Sequence, residues 1–223
     1  MLILLISLVD FLILIKNSVD YSKKDIDKGE TPPLIYKICC CIRETFCLSY
    51  AIRKENNLYL FFKEELVLIL LKGDELKYLG SDERSQALLF QKALAKKSKV
   101  NDFKNDHWLN STPGFYIKIF NSKLSLINHF DSTEVKHFTF ITGEDHQEFS
   151  KCGETLDFTS LSQLPKNLYI LPLDFSLADV GEMMLLFKKL KRIKLINLSK
   201  ISAIEDKILY INYQIDEYNS YLI

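Results

Sequence analysis

Apolar residues follow two spacings along this chain, one of strands and one of helices. Phe11 to Lys16, FLILIK, is a continuous apolar run of strand length. A run without polar alternation suits a strand buried on both faces of a parallel sheet. Leu58 to Phe62 and Leu66 to Leu71 are two further runs, and the polar turn Lys63-Glu64-Glu65 between them predicts a hairpin. Phe115 to Phe120, His137 to Ile141, Leu168 to Leu171 and Ile193 to Leu198 are the remaining strand-length segments. Helical spacing begins after the Thr31-Pro32-Pro33 break that closes the polar stretch Asn17 to Glu30. Ile35, Ile38, Cys39, Ile42, Phe46 and Ser49 recur near the 3.6 period and predict a helix from Leu34 to about Ile52. Ser81 predicts an N-cap, with Asp82 and Glu83 suited to the first-turn dipole of a helix running to about Lys97. Asp179 to Leu190 and Ser202 to Tyr218 predict two more helices, the second with Ala203, Ile204, Ile208, Ile211 and Ile215 on one stripe. Strands alternating with helices indicate an α/β fold, a mostly parallel sheet flanked by helices.

Length and charge narrow this picture only slightly. The chain has 223 residues, room for one large α/β domain or two small ones. With 48% hydrophobic residues it departs from the disordered signature of low hydrophobicity and high net charge. Lys plus Arg and Asp plus Glu are both 29, so a nucleic-acid partner requires a local basic patch. Lys188-Lys189-Leu190-Lys191-Arg192-Ile193-Lys194 is such a cluster, readable as a phosphate-contacting surface or as a solvated helix C-terminus. Lys92, Lys96, Lys97 and Lys99 form a second run with the same two readings. The cysteines, Cys39, Cys40, Cys41, Cys47 and Cys152, make a poor disulfide framework and lack zinc-ligand spacing, so they are expected as buried free thiols with no metal. The apolar start Met1 to Ile15 contains Asp10, lacks a basic leader region, and is shorter than the roughly 20 residues of a membrane span. It is read as an extension, 1–10, ahead of a strand, not as a membrane segment.

Four strings carry a resemblance. Cys39 to Arg53 is similar to a helix ending in Leu-Ser-His-Asp-Ile-Arg, with Leu48, Ser49, Ile52 and Arg53 matching and Tyr50 and Ala51 in place of His and Asp. Ser81-Asp82-Glu83-Arg84 is similar to Ser-Pro-Asp-Glu-Arg, and Ala87 and Lys92-Ala93-Leu94 follow. Trp108 with Ser111-Thr112-Pro113-Gly114 and a following strand is the third, and Gly143-Glu144-Asp145 after a strand is the fourth. Together, in order from Phe11 to about Tyr218, they resemble the archaeal tRNA pseudouridine N1-methyltransferases of the SPOUT superfamily. Each string also has a plain structural reading. Arg84 can pair with surface carboxylates, Thr112-Pro113-Gly114 is good turn chemistry, and Trp108 can be a core anchor.

The resemblance implies a single SPOUT-like domain over 11–223 with a C-terminal trefoil knot, a cytoplasmic homodimer, S-adenosylmethionine as cofactor and tRNA as substrate. It places the cofactor at Thr139, Pro172, Leu198, Ser199, Lys200, Ile201 and Ile208, and the nucleotide at Arg53, Asp82 and Arg84. The sequence departs from the family at the first cofactor loop. Pro172-Leu173-Asp174 stands where a Gly-Asp-His is usual. Glycine lets a ligand approach the backbone closely and proline removes an N–H donor. Lys200 and Ser202 replace a Pro and a Glu, and Ile204 to Lys207 replace the His and Asn residues that open the last family helix. A catalytically degenerate homologue that binds RNA or forms dimers is the alternative. His107, His129, His137 and His146 all lie outside the matched strings, so no general base is assigned.

Overall fold

The computed structural model describes residues 9–97, 107–133, 135, 137–142, 167–190 and 193–220. Strand β1 (Val9–Ile15) is buried at every position. Successive side chains leave opposite faces of a strand. Phe11, Ile13 and Ile15 therefore enter one apolar cluster, and Leu12 and Leu14 the other. This double burial is why the run does not alternate. β1 lies between β2 (Asn57–Phe62) and β7 (Asn167–Leu173), parallel to both. Beyond β7, β6 (His137–Thr142) and β8 (Ile193–Asn197) continue the parallel half. Beyond β2, β3 (Val67–Lys72), β5 (Phe115–Ile119) and β4 (Leu109–Thr112) each run antiparallel to the strand before. The eight-stranded order is β4-β5-β3-β2-β1-β7-β6-β8.

Helices cover both faces. α2 (Pro33–Phe46), α3 (Glu83–Leu94) and α6 (Ile204–Ser220) contribute Ile38, Phe90 and Ile208 to the cluster on one side. The short α1 (Lys23–Asp27), closed by a Ser22–Asp25 capping box, adds Ile26. On the other side α4 (Lys123–Asp131) and α5 (Leu177–Phe187) bring in Phe130 and Phe187. The result is an α/β/α sandwich, as the alternation of strands and helices implied.

Several local expectations need correction. α2 ends at Phe46, not near Ile52. The Asn212 side-chain amide donates to the Glu44 carbonyl at 2.8 Å, and that of Asn56 to the Thr45 carbonyl at 3.0 Å. These amides satisfy carbonyls left open at a helix C-terminus, and the chain then turns back through a Cys47–Ile52 bridge. The N-cap of α3 is Asp82, which accepts from the Ser85 N–H, so Ser81 lies one residue outside. α1, α4 and β4 were not expected. Among the described residues β1 starts at Val9, with Asp10 buried and accepting from the Asn57 amide at 2.8 Å. Cys39, Cys40 and Cys41 are free and buried on α2. Cys152, Gly143-Glu144-Asp145, His146, Lys99, Lys191 and Arg192 lie outside the described residues.

Candidate functional site

In open α/β sheets ligands bind beyond the carboxyl ends of the strands. The end of β7 creates such a place. Its pairing with β1 runs through Leu173, whereas its pairing with β6 stops at Ile170. The two strands part, and a cleft of about 360 Å³ opens between them. Thr142 ends β6 on one side, and Pro172 and Asp174 form the other. Ser202, Ala203 and the first turn of α6, Ile204 to Lys207, close it. Proline has no N–H for a central strand, and it is tolerated here past the last β6 rung. Asp174 takes a left-handed backbone, φ 55°, and pairs with Lys37 of α2 at 2.8 Å.

A charge cluster stands beside this cleft. Lys63, 4% exposed at the end of β2, binds Asp179 and lies 2.7 Å from Glu182. Asp179 also closes the capping box of α5 with Ser176. The Lys63 ammonium and the Ser176 hydroxyl hold its carboxyl far below the usual carboxylate range. Burial alone pushes the Lys63 amine down, yet its bonds to Asp179 and Glu182 leave it raised. The cluster thereby fixes the start of α5, and with it Leu177 and Val180 on the cleft wall.

The expected cofactor residues divide into three groups. Pro172 lines the cleft. Leu198 to Ile201 form the turn after β8, joined to the cleft's edge by the Leu198 N–H on the Thr142 carbonyl at 3.4 Å. Thr139 and Ile208 do neither: Thr139 is buried inside β6, and Ile208 is fully buried in the core. The Thr139 hydroxyl has no hydrogen-bond partner among the described residues. Lys207, which no matched string singled out, lies on the cleft and is 8% exposed. Its signal in the sequence was its place on the Ile204–Ile208–Ile211 stripe, where a charge does not belong.

The expected substrate residues lie elsewhere. Arg53 forms a two-pronged bond to Asp216 of α6, at 2.7 Å on one prong. Asp82 caps α3, and the Ser85 N–H lowers its carboxyl pKa. Arg84 pairs with Asp27 of α1 at 2.8 Å, as its surface reading anticipated. A second groove of about 480 Å³ is lined by Ile52 and Lys54, either side of Arg53, and by Ser81, next to Asp82. Exposed Tyr50 and Lys77 also line it. Gly114 occupies a turn at φ 83°, where a Cβ would meet the Leu76 N at 2.7 Å, so the Thr-Pro-Gly string has a structural cause. Trp108 packs on the core beside His129, with the Lys118 ammonium 5.8 Å from its ring. Among the described residues no helix is long and apolar enough to cross a membrane, and no three His, Cys, Asp or Glu side chains gather as metal ligands.

Comparison with known proteins agrees with this architecture. A family model described as "Putative SAM-dependent RNA methyltransferase" matches residues 35–134. The tRNA (pseudouridine(54)-N(1))-methyltransferase of Methanocaldococcus jannaschii is 28% identical over 111 residues, 48% of this chain and 54% of that protein. The proteins of the same name from Methanococcus vannielii and Methanosarcina acetivorans are 30% identical over 121 residues and 32% over 106. These alignments cover 53% of this chain and 58% of the first protein, and 46% of both this chain and the second. The chain thus spans about half the length of the curated relatives it matches. Archaeoglobus fulgidus Nep1, solved bound to S-adenosylhomocysteine, shares the fold at TM-score 0.53 and 10% identity, over 96% of this chain and 99% of that one. The family model and the archaeal relatives support assignment to the RNA methyltransferase family that the sequence strings resemble.

Proposed function

We propose that this chain is an S-adenosylmethionine-dependent RNA methyltransferase that methylates N1 of pseudouridine 54 in the T-loop of tRNA. The observation that carries the reading is the match over residues 35–134, whose archaeal relatives bear that name. The cleft between β6 and β7 suits the cofactor in place and size. It stands at the carboxyl ends of the strands, and ligand pockets run from roughly 300 to 1,000 Å³. Pro172, the turn Leu198 to Ile201 and the start of α6 would hold the cofactor; Thr139 and Ile208, which the resemblance also assigns to it, are buried in the interior. When bound, S-adenosylmethionine supplies a methyl group on a positively charged sulfur. The protein's own task is then to align the attacking base, since positioning alone can supply much of the rate of such a displacement. Arg53, Asp82 and the groove beside them, with Arg84 on the next helix, would orient the nucleotide. Arg53 and Arg84 must exchange their carboxylate partners to do so. The reading extends to one domain over 11–223, a C-terminal trefoil knot, a homodimer, a cytoplasmic location and tRNA as partner.

Pro172 supports a second reading, a degenerate homologue that binds RNA without transferring methyl groups. Its ring stands on the cleft wall where the resembling family has glycine. Calorimetric titration with S-adenosylmethionine separates the two. Measurable heat, with a Kd in the micromolar to low millimolar range, supports the enzyme. No heat at millimolar ligand from an intact fold supports the degenerate reading.

A further inference from the structure

Among the described residues, Lys207 is a buried lysine without a side-chain partner. It lies in the first turns of α6, on the wall of the cleft, with 8% of its surface exposed. Among the described residues its side chain makes no hydrogen bond or ion pair; only its backbone N–H is engaged, on the Ala203 carbonyl at 3.2 Å. The charged neighbours on the cleft are otherwise committed or peripheral. Lys37 is paired with Asp174, and Glu205 stands at the rim, half-buried. Burying an unpaired ammonium is costly, and a protein normally avoids it or neutralises the group. Burial does hold the Lys207 amine below the ordinary lysine range. A stripe of Ile204, Ile208 and Ile211 would be served better by leucine or methionine at this position. The start of a 17-residue helix also presents N–H groups without intrahelical partners and a positive dipole end.

Resting on the cofactor reading above, we infer that Lys207 and the N-terminal turn of α6 form an anion subsite of the β6/β7 cleft that takes the carboxylate of the cofactor's amino-acid end. The lysine costs stability in the empty protein and recovers it when a carboxylate arrives to pair with it. A charge-assisted bond of this kind is worth roughly ten- to a hundredfold in affinity.

The test compares two nucleosides that differ at that end. S-adenosylhomocysteine carries the carboxylate; 5′-methylthioadenosine lacks it. Calorimetry on the wild type is expected to favour S-adenosylhomocysteine by about tenfold or more. Lys207→Met should reduce that preference to about twofold while leaving methylthioadenosine binding unchanged, and Lys207→Arg should retain part of it. The same Lys207→Met protein should melt at a higher temperature than wild type, which also controls for folding. Equal losses for both nucleosides, or an unchanged preference, overturn the subsite while the cofactor reading stands. So does an intact preference accompanied by weakened tRNA binding, which would give Lys207 to a phosphate. If neither nucleoside binds wild type, the cofactor reading and the subsite fall together.

Discussion

Asp179 and Lys63 hold each other charged at the end of β2, 8% and 4% exposed. Removing one partner of a buried pair strands the other's charge and costs about 3–5 kcal/mol. Lys63→Met is expected near the lower end, because Lys16 remains 3.4 Å from Asp179; urea unfolding measures it. The Asp179 carboxyl is held far below its ordinary value when folded. Its contribution to stability is therefore present above the unfolded aspartate pKa, about 4. It is lost as pH falls through that value toward the folded one. Thermal melts should be flat from pH 7 to about 5 and fall below, and Asp179→Asn should fall less steeply. An equally steep fall would place the acid sensitivity in other carboxylates. At Pro172 the expectation runs toward gain. Pro172→Gly restores an N–H and opens the wall, and S-adenosylmethionine should bind roughly two- to thirteenfold tighter, the worth of one hydrogen bond. None of these residues announced its partner in the sequence. Lys63 was read as part of a polar turn, and its buried contact comes from Asp179 and Glu182, more than a hundred positions away. Only packing of α5 on the sheet reveals it.

Elements were legible wherever their pattern was local. β1 read as buried on both faces because seven consecutive positions are, and the β2–β3 hairpin followed from its polar turn. The stripe of α6 appeared where expected. α4 was missed because it is only nine residues long and mixes Ser, Asn and His among its apolar positions, and it is held by Phe130 and Leu126 against the sheet. The end of α2 was missed because the stop comes from outside the helix, from Asn212 and Asn56. Asn212→Ala removes the donor to Glu44 and leaves buried groups unsatisfied. It should cost about 1–3 kcal/mol in urea unfolding, whereas a near-zero effect would deny the two amides a role in ending α2. The connection from α5 to β8 carries exposed Lys188 and Lys189, and β8 carries exposed Lys194. If this run touches tRNA phosphates, converting Lys189, Lys191 and Lys194 to Glu should flatten log K against log salt by roughly 0.7 to 0.9 per lost contact. An unchanged slope returns the run to a solvated surface.

At the scale of the whole molecule, the alternation of strands and helices anticipated the α/β class and the parallel half of the sheet. The residues that the resemblance assigns to a cofactor do not all line the cleft. Pro172 does, and Thr139 and Ile208 lie in the interior. Positional similarity carries a backbone address better than a side-chain role, because one substituted neighbour changes what a pocket exposes. The nucleotide candidates show the same limit, with Arg53 and Arg84 both engaged by carboxylates of the chain itself. In the proposed function the groove and the cleft cooperate to methylate RNA. Purified protein incubated with methyl-tritiated S-adenosylmethionine and a tRNA carrying pseudouridine at position 54 tests it most directly. One methyl group per tRNA is expected, mapped by mass spectrometry to N1 of that nucleotide and absent when position 54 is uridine. No incorporation from folded protein that binds both the cofactor and the tRNA would contradict it.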